Sequence, residues 1–129
     1  MIFSLLVLSP PTSDSSRSAL LFAETALEQG HQLYRVFFYY DGAYHGSRWN
    51  CPPQDEQSLT ASWQKLQRQH KLDIVVCIAA GLKRGILDRT EAERYGHDSH
   101  SLCREFTLGG LGQLIDAAVC ADRFLTFGG

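Results

Sequence analysis

Cys77 carries the most chemistry of any single residue in this sequence. It lies toward the carboxyl end of an apolar run, Leu72 to Ile78 (LDIVVCI), and the small residues Ala79, Ala80 and Gly81 follow it. Open α/β sheets place their ligand crevices at the carboxyl ends of strands, and small residues there let a substrate or a partner chain approach closely. If a helix starts at this point, its N-terminal dipole and the nearby Lys83 and Arg84 favour thiolate over thiol. Thiolate is the form that attacks sulfur and carries it. The competing reading is packing, because free cysteines are among the most buried residue types.

Other spacings are weaker. His97, His100 and Cys103 form H-x-x-H-x-x-C, but on a helix the two histidines share a face while Cys103 is rotated off it. Zinc usually takes four ligands, and the spacing supplies no fourth. The loop from Ser9 to Ser16 stands where a flavodoxin-like protein would hold phosphate, yet it lacks G-x-G-x-x-G and its serines serve equally as helix caps. Asp88, Glu91 and Glu93, mixed with Arg89 and Arg94, read as a solvated face. Phe37, Phe38, Tyr39, Tyr40 and Tyr44 make an aromatic cluster. Strand alternation puts half of it in the core and leaves the Phe38, Tyr40 and Tyr44 region to be covered by a partner.

The elements that must position Cys77 are legible from the apolar pattern. Ile2 to Leu8 (IFSLLVL) is a short continuous run stopped by Pro10 and Pro11, the mark of a strand buried on both faces. Ala19, Phe22, Ala23, Ala26 and Leu27 recur at helical spacing, and Gly30 stands where a helix C′ residue belongs. Leu33 to Tyr40 (LYRVFFYY) is rich in aromatic and β-branched residues and reads as a second strand. Asp41 to Gln54, with two glycines and two prolines, is expected to be a long loop. Leu59, Trp63 and Leu66 mark a helix ending near His70, and Leu72 to Ile78 is a third strand. Ala79 to Gly85 reads as a turn into a short helix, and Arg89 to Arg104 as a short helix plus loop. Leu111, Leu114, Ile115, Ala118 and Val119 form another amphipathic face, and Arg123 to Phe127 closes the chain as a fourth strand. The alternation βαβαβαβ implies α/β architecture, a mostly parallel sheet with helices on both faces.

Composition narrows the class. The chain has 129 residues, 44% hydrophobic and 20% charged, with a net charge of −2, which fits one globular domain over residues 1–129. No long basic run exists, so direct nucleic-acid or anionic-membrane binding is not expected. Cys51, Cys77, Cys103 and Cys120 are scattered with no C-x-x-C pair, which argues against a disulfide framework. The apolar start lacks a basic n-region and ends after about one strand length, and no run reaches the roughly 20 apolar residues of a membrane span. A cytoplasmic location is expected.

Three segments together carry a resemblance. G-H-Q-L-Y-R-V-F-F-Y-Y-D-G-A-Y (Gly30 to Tyr44), C-I-A-A-G-L-K-R-G-I-L-D (Cys77 to Asp88) and F-T-L-G-G-L-G-Q-L (Phe106 to Leu114) stand in the order and spacing of the DsrE-like sulfur-relay family. The similarity runs from Met1 to about Phe127 and is nearest the TusD branch. It implies a flavodoxin-like α/β fold, and it implies that Cys77 matches the family's sulfur-carrying cysteine. It further implies a sulfurtransferase subunit that assembles with TusB-like and TusC-like subunits into a heterohexamer. Sulfur would come from a TusA-like donor and pass to a TusE-like acceptor, for 2-thiouridine at the tRNA wobble position. Related proteins serve dissimilatory sulfur oxidation instead. No cofactor or metal is implied. Cys51, Cys103, His97 and His100 fall outside the family motif. Three rival readings remain at this level: a thiol redox enzyme with a resolving cysteine, a non-catalytic subunit in which Cys77 packs, and a nucleotide-binding flavodoxin relative.

Overall fold

The computed structural model describes residues 1–129. Five strands, β1 (Ile2–Val7), β2 (Gln32–Phe38), β3 (Ile74–Cys77), β4 (Thr107–Gly109) and β5 (Arg123–Phe127), form one sheet in the order β4-β3-β2-β1-β5. Every pairing is parallel. The apolar runs explain the centre of this sheet, since all four residues of β3 are buried and so are Leu5, Val7, Val36, Phe37 and Phe38. Phe38 is therefore core and not the partner-facing residue expected from strand alternation. A strand covered on both faces buries its odd and even side chains alike. Tyr40 and Tyr44, the other two residues of that region, do remain exposed.

Helix α1 (Asp14–Glu28) is capped by Ser13, whose side chain accepts from the Ser16 N–H, and α2 (Leu59–His70) is capped likewise by Ser58. Both pack on one face of the sheet, where Phe3 meets Phe22 edge-on at 5.1 Å and Phe38 meets Trp63 at 5.6 Å. Two short helices, α3 (Ile78–Lys83) and α4 (Arg89–Arg94), follow β3, and α5 (Leu111–Cys120) joins β4 to β5. The chain steps from β1 to β4 in one direction and then returns across the sheet to lay β5 beside β1. Because parallel crossovers are right-handed, that reversal puts α5 on the opposite face from α1 and α2. The order differs from the 2-1-3-4-5 of flavodoxin itself, while the parallel sheet with helices on both faces is as expected.

Two elements differ from the sequence reading. The sheet has five strands, not four: Thr107–Gly109 is three residues long and ends in glycine, too short for any periodicity to register. The expected loop after β2 begins instead as a 3-10 helix, Tyr40–Gly46.

Helix α5 is the sole helix spanning its face, and it buries only Ala117. Leu111, Ile115 and Val119, at i, i+4 and i+8, are 48%, 65% and 76% exposed. Polar contacts hold it down: the Arg35 guanidinium donates to the Gln113 carbonyl (2.8 Å) and pairs with Asp116 (3.0 Å) and Asp73 (2.7 Å). Tyr34 donates to Asp116 at 2.6 Å, which holds that carboxyl below its usual range and pushes the phenol up to about 12. No helix is long and apolar enough to cross a membrane.

Gly42 locks the 3-10 segment against the sheet. A Cβ there would overlap the backbone carbonyl of Val7, and Val7 lies in a central buried strand that cannot give way. Gly42→Ala should therefore cost about 3 kcal/mol, as a main-chain clash in a packed interior does. Urea denaturation checks it, and a loss below about 1 kcal/mol would show that the segment moves freely.

Candidate active site

Strand β3 becomes helix α3 with no residue between them, and Cys77 is both the last residue of the strand and the N-cap of the helix. Its side chain makes no capping hydrogen bond. The strand partner of Cys77 is Gly109; Gly110, the next residue, is the N-cap of α5 and also lacks a side-chain cap bond. Two helices thus begin beside the Cys77 backbone, α3 at Cys77 itself and α5 one residue beyond its strand partner. The thiol itself is 2% exposed. The larger surface clefts are lined by other residues.

Lys83 and Arg84 are not beside the sulfur. They close α3 at its far end, about 9 Å along the axis from Cys77 at about 1.5 Å per residue. Arg84 is also committed elsewhere, donating to Asp41 (3.0 Å) and to the Ala80 carbonyl (3.1 Å). Both cations therefore sit at the end of α3 opposite the helix start where they were expected.

The remaining candidates disperse. All four cysteines are free thiols. Burial pushes the Cys103 thiol up to about 11, which makes it a packing group and a poor nucleophile at neutral pH. Cys51 and Cys120 are exposed; Cys51 lines a cleft of about 300 Å³ with Arg17 and the start of α2. His97 is exposed and His100 half-buried, and no three His, Cys, Asp or Glu side chains converge in the manner of a metal site. Asp88 caps α4 and Glu91 pairs with Arg94. The Ser9–Ser16 loop satisfies itself, with Ser9 Oγ 2.6 Å from Ser15 Oγ and 2.9 Å from Ser16 Oγ.

The DsrE/DsrF-like family model matches residues 1–127. The chain belongs to the DsrE/DsrF-like family. A sulfurtransferase TusD homolog of Pseudomonas aeruginosa is 47% identical over 129 residues, covering 100% of this chain and 98% of that one. A sulfurtransferase TusD of Salmonella arizonae is 42% identical over 128 residues, 98% and 100% of the two chains. A DsrE of Allochromatium vinosum is 46% identical over 119 residues, 92% of each. The ychN protein of E. coli shares the fold, with a TM-score of 0.76 at 23% identity over 98% and 97% of the two chains. At such identity over nearly the whole length, sulfur transfer is the activity class of this DsrE/DsrF-like chain.

Near the carboxyl ends of this family member's strands stand two residues that sequence reasoning passed over, Gln113 and His45, and one, Tyr39, that it read only as part of an aromatic cluster. The Gln113 side chain fills the space above Gly109 that a Cβ would take, next to Cys77. Tyr39 continues β2 in extended conformation, level with Cys77. His45, inside the expected loop, is wholly buried and stacked on Phe38 at 4.6 Å. Its Nε2 lies 3.1 Å from the Ser9 carbonyl, to which Nε2–H donates, and 3.0 Å from Ser16 Oγ. The buried Nδ1 has no partner.

Burial lowers the His45 pKa from 6.5 to about 4, against a smaller upward pull from the Ser9 carbonyl. The unfolded chain therefore takes up a proton at a pH where the native state refuses it. The contribution is complete above about pH 6.5 and drains away as pH falls from there to about 4, in total about 3 kcal/mol. Urea titrations from about pH 7.5 to 4 should show this loss in the wild type and a flatter profile in His45→Asn. Parallel profiles for the two proteins would refute the assignment.

Proposed function

We propose that this chain, as one domain over residues 1–129, carries sulfur as a persulfide on Cys77 and relays it between protein thiols. The observation that carries the reading is the position of Cys77 at the β3–α3 junction, between two helix N-termini. In the first step the Cys77 thiolate attacks the terminal sulfur of a donor persulfide. The new S–S bond forms on Cys77, the donor's S–S bond breaks, and the donor cysteine leaves as thiolate. In the second step an acceptor thiolate attacks the terminal sulfur on Cys77 and releases the Cys77 thiolate. Two displacements leave the redox balance unchanged and need no cofactor or metal, and rates follow thiolate fraction and leaving-group pKa. Amide dipoles at the junction favour the anionic sulfur formed at each turnover. Lys83, exposed at the far end of α3, serves as a docking charge for an acidic partner; Arg84 is half-buried and tied to Asp41.

The donor in this reading is TusA-like and the acceptor TusE-like, acting in the cytoplasm, with 2-thiouridine at the tRNA wobble position as the destination. Sulfur oxidation is the alternative destination, and identities of 47% to a TusD homolog and 46% to a DsrE leave both pathways in play. TusB-like and TusC-like subunits complete a heterohexamer. The stripe Leu111–Ile115–Val119 supports an assembled state, since a contiguous apolar helix face on a small protein marks an interaction surface. One observation favours a second reading, a non-catalytic subunit: Cys77 is as buried as a packing cysteine.

Intact-mass analysis after incubation with a persulfide-loaded donor, alone and with the paralogous subunits, separates the two. Wild type should gain the mass of one sulfur atom, removable by a thiol reductant, and Cys77→Ser should gain none. Loading that persists in Cys77→Ser moves the chemistry to Cys51, Cys103 or Cys120. For assembly, Ile115→Glu should weaken association with the paralogous subunits at least roughly tenfold, as loss of a central apolar anchor does, with an unchanged circular dichroism spectrum. Undiminished co-purification would remove α5 from the interface.

A further inference from the structure

If Cys77 is the carrier, a thiol that must meet two other proteins is closed off in the isolated fold, and the structure indicates what closes it. Phe38 pairs with Val76, so Tyr39 stands level with Cys77 on the neighbouring strand, and Cys77 pairs in turn with Gly109. Side chains alternate along each strand. Tyr39 thus shares the face of Phe37, whose ring is 6.3 Å away, and Cys77 shares the face of Val75, on the side that α5 covers. By register, the positions beside Cys77 on this face are therefore Tyr39 on one side and, on the other, Gly109 with the Gln113 side chain above it.

Tyr40 is laid flat on Tyr39, with centroids 4.4 Å apart and planes within 2°. Tyr40 is 57% exposed and adopts φ +50°, a left-handed conformation that an aromatic residue takes at a cost and keeps only when its surroundings impose it. The next residue, Asp41, is held by Arg84 at 3.0 Å. Both ends of this short span are pinned: the Tyr39 N–H donates to the Val7 carbonyl (3.0 Å), and Gly42 is pressed on the same carbonyl. Between the pins lie two residues, one strained and one latched.

We propose that the Tyr39–Tyr40 stack is a gate over Cys77, latched by the Asp41–Arg84 ion pair. Opening lets Tyr40 relax to negative φ, lifts its ring from Tyr39 and parts Asp41 from Arg84. The backbone strain released at Tyr40 works against the ring stacking, the ion pair and the Gly42 N–H to Tyr39 carbonyl bond (2.8 Å) that opening breaks. A docking partner that engages the exposed Tyr40 ring or the Asp41 carboxylate then tips the balance. A persulfide held behind the closed gate is sheltered from stray thiols until such a partner arrives. This rests on Cys77 as the carrier, but its test does not use sulfur loading.

The test is the rate of alkylation by iodoacetamide, mapped thiol by thiol on the full chain. Cys103, equally buried, reports any general opening of the fold. In the wild type Cys77 should react as slowly as Cys103. Tyr40→Ala should accelerate Cys77 at least roughly tenfold and leave Cys103 unchanged. Asp41→Asn, which keeps the ring and the fold, should accelerate Cys77 by about two- to fivefold, the range for a partly exposed ion pair. Molar salt should have the same effect on the wild type and none further on Asp41→Asn. The gate is overturned if Cys77 reacts rapidly in the wild type. It is equally overturned if neither variant accelerates it, or if Cys77 and Cys103 rise together. Sulfur loading without gated alkylation would remove the gate alone; gated alkylation without loading would remove the carrier role alone.

Discussion

A strand that turns into a helix without an intervening residue is the constraint on which the site depends. At Cys77 the chain leaves the sheet with φ −57° and ψ 124° and begins α3 at the next position. A junction this abrupt brings α3 down onto the end of the sheet, and only small residues fit beneath it. Ala80 and Gly81 are buried there, and a Cβ on Gly81 would press into the Ile86 carbonyl and approach Val76. The Ile86 N–H returns to the Gly81 carbonyl at 2.8 Å, and Ser101 Oγ accepts from the Leu87 N–H at 3.0 Å. These bonds fasten the segment after α3 to the chain ahead of β4. The sulfur is fixed because its backbone is fixed on both sides.

The two faces of the sheet are built on different principles. On one, α1 and α2 seal a core of interlocking aromatic rings, Phe3 on Phe22 and Phe38 on Trp63. On the other, a ten-residue helix is moored by an arginine between two carboxylates. Polar mooring specifies where α5 sits without requiring it to bury its apolar stripe. Its N-terminus is thereby held beside Cys77 while its outer surface stays free.

Much of this could be read in the residues, for reasons that also explain what could not. Ile2–Val7 and Ile74–Cys77 announce themselves because a strand buried on both faces must be apolar throughout. The same physics misleads for Phe38, where alternation suggests an outward side chain and burial on both faces cancels it. The strand Thr107–Gly109 is set by its pairing with β3, a non-local fact that three residues cannot encode alone. Arg84 reads as a free cation near a thiol because its partner, Asp41, lies 43 positions away. His45 was invisible for the same reason: a histidine among glycines and tyrosines looks like loop until Phe38 and Ser9 are folded around it. Cys77 stood out twice, from its place in the strand and from the motif around it, and the structure puts it at the strand-to-helix junction expected there, with no turn between the two elements.

The bare outer surface of α5 also bears on how firmly the molecule is folded. Apolar area left in water forgoes roughly 25 cal/mol per Å² that a cover would return. Any molecule that binds that surface in the native state and not in the unfolded chain adds RT ln(1 + [L]/Kd) to the folding free energy. The stability of this chain is then a function of what surrounds it, rising with the concentration of a binder and falling to its intrinsic value when alone. A chain of this design makes its own persistence report on how much of that surface is covered.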